Sequence, residues 1–326
     1  MESSSLRIGV LYDEWAETKE PAVEPKPADV PKRKRRRDKP DREEVFEALV
    51  KKGHQPAYFC LDGRPKTLKA LASAEVDLMF NYTGSGPGGL HLAQDKAVAK
   101  RLFAFHGIRT PNFATVYQGR LQWADDVHFP VIVKPKREDG SIGIAFSAVA
   151  GSIKELMERI DALHADLNAP VLIEEYIEGR ELYVSVIGND PPVALPVIEL
   201  NLDDLPEGTP RIAGTEVKWE RGTAAYRKTK LRFPEDLSEN LLAEIQETAV
   251  KACQVLEIRD YARVDFRLSP KRKFFTLEVN PNPWLHSTAE FALAAKQSGR
   301  EHADVIQEIV DLALARYRGI SQASSS

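Results

Sequence analysis

The stretch FFTLEVNPNPWLHS, residues 274–287, decides how this chain is read. Its first half has the apolar character of a strand. Glu278 and Asn280 stand two apart and so project from one face of it. Pro281 and Pro283 end the strand, because proline has no N–H to give to a ladder. Just upstream, ARVDFRL (262–268) reads as a second strand and SPKRK (269–273) as a turn. Together they predict a β-hairpin. With closure about Lys271 and Arg272, Asp265 faces Glu278 and Arg263 faces Asn280. Val264, Phe266, Leu277 and Val279 then share the opposite face and are candidates for the core.

A sheet face carrying two carboxylates, an amide and a guanidinium is a poor packing surface. Opposed carboxylates repel unless a cation or a proton lies between them. Oxygen ligands of this kind suit Mg²⁺, with Mn²⁺ as the alternative, so Asp265, Glu278 and Asn280 are candidate metal ligands. Arg263 cannot bind a metal but can neutralise a phosphate or a developing oxyanion. An exposed face with ordinary salt bridges is the competing reading of the same residues. Two further elements favour the phosphate reading. KPKREDGSIG (134–143) places Lys134 beside a turn of small residues, Gly140, Ser141 and Gly143, where backbone N–H groups can approach phosphate oxygens. IEEYIEGRE (173–181) follows a buried strand with Glu174 and Glu181 about a turn, where they can accept hydrogen bonds from a ribose or an adenine amino group.

These pieces, with YTGSG (82–86) and Asp95-Lys96, resemble the ATP-grasp superfamily and, within it, the D-alanine–D-alanine ligases, over about residues 76–300. The resemblance implies an α/β protein with a small N-terminal parallel α/β lobe and two lobes that grip ATP between antiparallel sheets. It places the lobes at residues 1–95, 96–172 and 173–320. The activity implied is ATP-dependent joining of a carboxylate to an amine through an acyl phosphate. On the matching positions, Lys96 and Lys134 contact ATP phosphates and Ser141 closes over them. Glu174 and Ile177 line the adenine pocket, Glu175 adds a backbone contact, and Glu181 binds the ribose. Asp265, Glu278 and Asn280 hold Mg²⁺, and Arg263 stabilises the transition states. Lys218, in GTEVKWERGTAAY (214–226), matches a loop that closes over the site and shields the acyl phosphate from water. A homodimer is also implied.

The departures from that family concern the substrates. LYDEWAETKEP (11–21) replaces a Gly-Gly turn with its Ser and Glu, leaving Glu14 as a candidate substitute. The segment that precedes YTGSG in the family is absent. After the metal strand, Pro283, Trp284, Leu285 and His286, before Ser287, stand where the family has a Pro-Gly-Met-Thr type of turn, so Trp284, His286 and Ser287 are candidate substrate residues. A Trp beside the metal strand does not leave the same small amino-acid pocket. The expectation is a related ligase acting on a larger or different carboxylate and an amine, such as an amino acid or peptide. The alternatives are an ATP-binding module without ligation and a true D-alanine–D-alanine ligase with a divergent substrate site.

Bulk properties fit such a protein. Hydrophobic residues make up 43% of 326 and charged residues 29%, enough for several cores. The net charge of −4 argues against nucleic acid as a partner. The basic run Lys32–Arg37, in a Pro-rich loop at 13–40, has no interleaved aromatic residues and reads as a solvated loop. The two cysteines, Cys60 and Cys253, offer no disulfide framework. No apolar run is long enough for a bilayer and the N-terminus has no signal pattern, which predicts a cytoplasmic protein and no membrane partner. Capped helices are predicted from Asp41 (capping box with Glu44; stripe Val45, Phe46, Leu49), from Asp95, and from Ser152 (stripe Ile153, Leu156, Met157, Ile160).

Overall fold

The computed structural model describes residues 5–13, 40–62, 64–83, 88–138, 140–220 and 222–323, with side chains to Tyr317. Glu14, the basic run 32–37 and the glycines of YTGSG lie outside the described residues. The chain divides into two compact units: Met1–Gly86 with Trp284–Ala292 and Arg300–Ser326, and Pro87–Pro283 with Leu293–Gly299.

The first unit carries β1 (Arg7–Tyr12), α1 (Asp41–Lys51), β2 (Gln55–Cys60), α2 (Pro65–Ala72) and β3 (Leu78–Asn81). Its sheet has the order β2-β1-β3, with both pairings parallel, as strand–helix–strand alternation predicts. Ile8 and Val10 of β1 and Val45 and Leu49 of α1 are fully buried. The expected capping box does not form. The helix starts at Asp41 itself, Pro40 is the N-cap, and no side chain caps it. Glu44 instead accepts from the backbone N–H of Ser287 at 2.6 Å and from its hydroxyl at 3.1 Å. A long-range partner has taken the carboxylate that a local cap requires.

The second unit begins with α3 (Gly88–Gln94) and α4 (Lys96–Phe105), the latter capped by Asp95 accepting from Val98 N–H. Strands β4 (Phe113–Tyr117), β5 (Arg120–Ala124), β6 (Val131–Pro135) and β7 (Val149–Ala150) follow, then α5 (Ile153–Leu167) and β8 (Val171–Glu175). They make an antiparallel sheet of order β5-β4-β8-β6-β7. Ser152 caps α5 as predicted. Ile160 and Leu163 of the apolar stripe are buried against Val131, Val133 and Ile173, with Leu156 partly buried beside them. Ile153 and Met157, expected on that stripe, are 70% and 51% exposed. The helix presents a later set of i, i+3, i+4 positions to the sheet than the first turn suggested.

The second sheet is built from β9 (Arg180–Ile187), β10 (Val193–Ala194), β11 (Ile198–Asn201), β12 (Lys230–Arg232), β13 (Tyr261–Leu268) and β14 (Phe274–Asn280). Between them lie the short helices α6 (Thr215–Lys218) and α7 (Ala224–Lys228), and α8 (Glu239–Val255). The order is β12-β11-β9-β13-β14, with β10 on β9. Leu182, Val184 and Val186 of β9 and Val264 and Phe266 of β13 form one apolar face against Ile245, Ala249 and Ala252 of α8. Strict alternation then sends Glu181, Tyr183, Arg263 and Asp265 to the other face. The last helices are α9 (Glu290–Gln297) and α10 (His302–Ala323).

The hairpin of β13 and β14 closes one half-step away from expectation. Leu268 pairs with Phe274, so the turn centres on Lys271, and Arg272 takes a positive φ. A β-bulge then restores the expected register: Phe266 pairs with Thr276, but Asp265 pairs with Glu278 and Arg263 with Asn280. The bulged residue, Leu277, lines a cavity instead of joining the core. Val264, Phe266 and Val279 are core residues as predicted.

Candidate functional site

The cavity lies within the second unit, is open to solvent, and holds about 80 Å³ for the centres of water-sized spheres. Its walls include Lys134, Ser141, Glu174, Glu175, Ile177, Glu181, Lys218, Asp265 and Glu278, nine of the residues singled out from sequence. Gly179 makes the turn from β8 into β9 possible. Its φ is +135°, and a Cβ there would stand 2.1 Å from the carbonyl oxygen of Leu268. Gly179→Ala is therefore expected to lower stability by about 3 kcal/mol; an unchanged thermal unfolding curve would refute that account of the turn.

Two charged networks meet the cavity through Glu174, Lys134, Asp265 and Glu278, which line it, whereas Lys96, Lys100, Arg263 and Asn280 stand behind the lining. In the first, Glu174 is 1% exposed and bracketed by two lysines: Lys100 Nζ is 2.8 Å from Oε1 and Lys134 Nζ 2.7 Å from Oε2. Lys100 is fully buried and also donates to Thr110 Oγ1 at 2.6 Å. Burial alone would raise the Glu174 carboxyl, but Lys100 and Lys134 together hold it below the usual carboxylate range. Burial also drags Lys100 down to about 8 against the pull of Glu174.

In the second network, Arg263 forks onto Asp265 through Nε at 2.7 Å and Nη2 at 2.9 Å, while its guanidinium lies 4.9 Å above the Tyr183 ring. Lys96, 3% exposed, pairs with Glu278 at 3.3 Å and donates to the Glu138 carbonyl at 2.6 Å. Burial pushes the Asp265 carboxyl up to about 6; Arg263 opposes the rise and Glu278 adds to it. Burial pushes on Glu278 in the same direction, but Lys96, then Lys134, Lys218 and Arg263, depress it well below the usual range. The Asn280 side-chain nitrogen is buried with no hydrogen-bond partner. Two carboxylates paired across a ladder, with the amide of Asn280 two residues on from Glu278 able to add its oxygen, form an oxygen-rich donor set that fits a hard divalent cation, and the unpartnered Asn280 nitrogen is a donor left for an anionic oxygen.

A glycine-containing turn and a short helical segment meet at the cavity. Gly140, Ser141 and Gly143 all have positive φ. The Ser141 hydroxyl donates to the Ala213 carbonyl at 2.8 Å, and the Trp219 indole N–H donates to the Gly140 carbonyl at 2.8 Å. Thr215 N–H donates to the Ile144 carbonyl at 2.8 Å. Lys218 thus sits on α6, held against the turn. The Glu175 side chain faces His128, accepting from its backbone N–H at 3.2 Å, and the Glu175 N–H donates to the Asn112 carbonyl at 3.0 Å.

The residues of the 284–287 turn belong to the first unit. Trp284, 47% exposed, stacks on His286 at 5.0 Å, and His286 Nε2 lies 3.3 Å from Glu44 Oε1. Sequence reasoning missed two residues of the cavity networks and one contact of the 284–287 turn. Lys100 stands one helical turn after Lys96 on the same helix face, a spacing that could have flagged it. Arg267 continues the alternation of Arg263 and Asp265 into the cavity wall. Glu44 gave no sign, since its role depends on a remote segment of chain.

Comparison with known proteins identifies the family. Residues 102–311 match the family described as "D-ala D-ala ligase C-terminus". The chain is 33% identical over 238 residues to "Uncharacterized protein y4sG" of Sinorhizobium fredii (strain NBRC 101917 / NGR234), covering 73% of this chain and 68% of that protein. It is 31% identical over 277 residues to a D-alanine–D-alanine ligase of Bordetella petrii, covering 84% of this chain and 80% of the relative. The fold matches the crystal structure of D-alanine–D-alanine ligase from Bacillus anthracis complexed with ATP, with a TM-score of 0.70 and 16% identity, over 97% of this chain and 99% of that one. No helix among the described residues is long and apolar enough to cross a membrane. The chain belongs to the D-alanine–D-alanine ligase family of ATP-grasp, ADP-forming carboxylate–amine ligases.

Proposed function

We propose that this protein binds ATP with Mg²⁺ in the cavity of the second unit and joins a carboxylate other than D-alanine to an amine. The observation that carries the reading is the convergence of Lys96, Lys134, Lys218 and Arg263 around the Asp265–Glu278 pair, four cations about one acidic donor set. Asp265, Glu278 and Asn280 would hold Mg²⁺, which when bound neutralises phosphate charge during transfer. Lys96 and Lys134 would hold the phosphates, with Ser141 and its turn closing over them. Glu174, the Glu175 backbone and Ile177 would take the base, and Glu181 the ribose. Glu174 also holds Lys134 in place, so base recognition and phosphate binding share one carboxylate. Arg263 would meet the charge that develops on the transferred group and on the tetrahedral carbon. Lys218 and Trp219, latched to the glycine-containing turn, would keep water from the acyl phosphate.

The carboxylate partner is set apart by Trp284, which takes a glycine's place in the family turn. A half-exposed indole stacked on His286 supplies a flat apolar surface suited to a substrate larger than alanine. The test is ADP release across a panel of carboxylates and amines. Release should require one of each, stop on chelation of the divalent cation, and be greater with larger acids than with D-alanine. Release that D-alanine alone supports as well as any other acid would overturn the substrate assignment, and no release with any pair would overturn ligation. The same reading extends to a cytoplasmic homodimer, which light scattering on the purified chain would check for subunit number.

A further inference from the structure

We propose that Arg267 positions the part of the cavity that reads the nucleoside, acting through Glu181 on the ribose hydroxyls. This rests on the nucleotide reading of the cavity given above. Arg267 lies two residues beyond Asp265 on β13, pairs in register with Glu181 of β9, and is 4% exposed. Its Nε donates to the Ile177 carbonyl at 3.0 Å and its Nη1 lies 3.3 Å from Glu181 Oε2. The guanidinium stands 5.7 Å from the centre of the Tyr176 ring. Its Nη2 is buried without a hydrogen-bond partner. The other oxygen of Glu181, Oε1, accepts from the Tyr183 hydroxyl at 2.8 Å.

An apolar side chain would complete this wall without desolvating a cation. The guanidinium therefore needs a function, and its bonds indicate one. A single rigid fork ties the carbonyl of Ile177 to the carboxylate of Glu181, fixing both ends of the Ile177–Glu181 turn. Tyr183 fixes the carboxylate from its other oxygen. Each Glu181 oxygen keeps a lone pair for a further donor, and the hydroxyls of a ribose are donors of the right kind. Arg267 is thus a positioning residue for the ribose, and its loss should lower nucleotide discrimination more than turnover.

The experiment compares binding of ATP and 2′,3′-dideoxyATP, each with Mg²⁺, to the full chain by titration calorimetry. The wild type should favour ATP by about tenfold or more, the value of a hydrogen bond to a charged group. Arg267→Met should weaken ATP by about tenfold, leave dideoxyATP within threefold, and so bring the ratio towards one. Its kcat at saturating ATP should stay within about threefold of the wild type. Arg267→Lys, which keeps a cation for Glu181, should restore part of the ratio. In a Glu181→Gln background the Arg267→Met change should no longer affect the ratio. Arg267→Gln, closer in length and polarity, carries the same expectation if the methionine variant fails to fold. Loss of both nucleotides by the same factor, or an unchanged ratio, would overturn the inference and leave the nucleotide site standing. A wild type that does not discriminate would do the same. A wild type that binds neither nucleotide would overturn the nucleotide site itself, and the inference with it.

Discussion

Replacing Arg263 by methionine is expected to cut ATP-dependent ligation about 1000-fold while ATP binding falls by less than tenfold. The guanidinium is half of a bidentate pair with Asp265 and sits in a water-poor pocket above Tyr183. Its charge is therefore poorly screened, and a charge developing nearby feels it strongly. Were Asp265 to hold a divalent cation, the Arg263 guanidinium would be available to the transferred phosphoryl group and to the oxyanion of the tetrahedral state. Both states exist only along the reaction coordinate, so the loss should fall on kcat and not on KM for ATP. Methionine keeps much of the packing volume, which separates the charge from the shape. Steady-state ADP release and calorimetric ATP binding measure the two halves. A fall of less than tenfold in kcat would remove Arg263 from the chemistry and leave it as the counter-ion of Asp265.

Replacing Lys100 by methionine is expected to cost about 3–5 kcal/mol, the penalty for taking one partner from a buried ion pair. Lys100 is fully buried and reaches Glu174 and Thr110. Without it, Glu174 must share its negative charge with Lys134 alone. For a unit of this size the loss corresponds to an unfolding transition earlier by roughly 10 °C. Because the chain has two units, the change should appear as an early transition in a calorimetric scan, not as a uniform shift. The pH dependence gives a second readout. The Lys100 pKa is depressed in the folded protein to about 8 from an ordinary 10.5. Between those values the unfolded chain binds more protons than the folded one, so this group's contribution to stability grows as pH rises and is lost as pH falls through about 8. Glu174 works at the acid end: its depressed carboxyl contributes stability that is lost as pH falls through its folded pKa. Lys100→Met should abolish the alkaline gain and move the onset of acid unfolding to higher pH, since only Lys134 then opposes burial. An unchanged scan across both limbs would mean that the pair is not the keystone the contacts indicate.

Much of the site could be read along the chain, because the relevant spacings are local. Period-two alternation alone placed Arg263, Asp265, Glu278 and Asn280 on one sheet face and Val264, Phe266 and Val279 on the other. The pairing survived a misplaced turn centre because the bulge at Leu277 made up the missing residue. A bulge is set by how the strand must twist to meet its neighbours, so its position is not written in the alternation. The stripe on α5 shows the same limit. Periodicity established an amphipathic helix, but the sheet packed against it decided which turn of that stripe was buried.

The sequence by itself determined the hairpin, the acidic pair on one face of it and the arginine beside that pair, since each is encoded by neighbours a few residues apart, while the architecture came from the family resemblance. Only the tertiary structure decided what those charges touch. Glu174 also holds Lys100 and Lys134, which come from other elements. Glu44 was expected to cap its own helix and is found anchoring Ser287. Arg267 gained its role only when β9 came alongside β13 and set Glu181 opposite it. The physical reason is the same in each case. A charge removed from water must find a compensating partner wherever the fold supplies one, and the fold most often supplies it from a distant part of the chain.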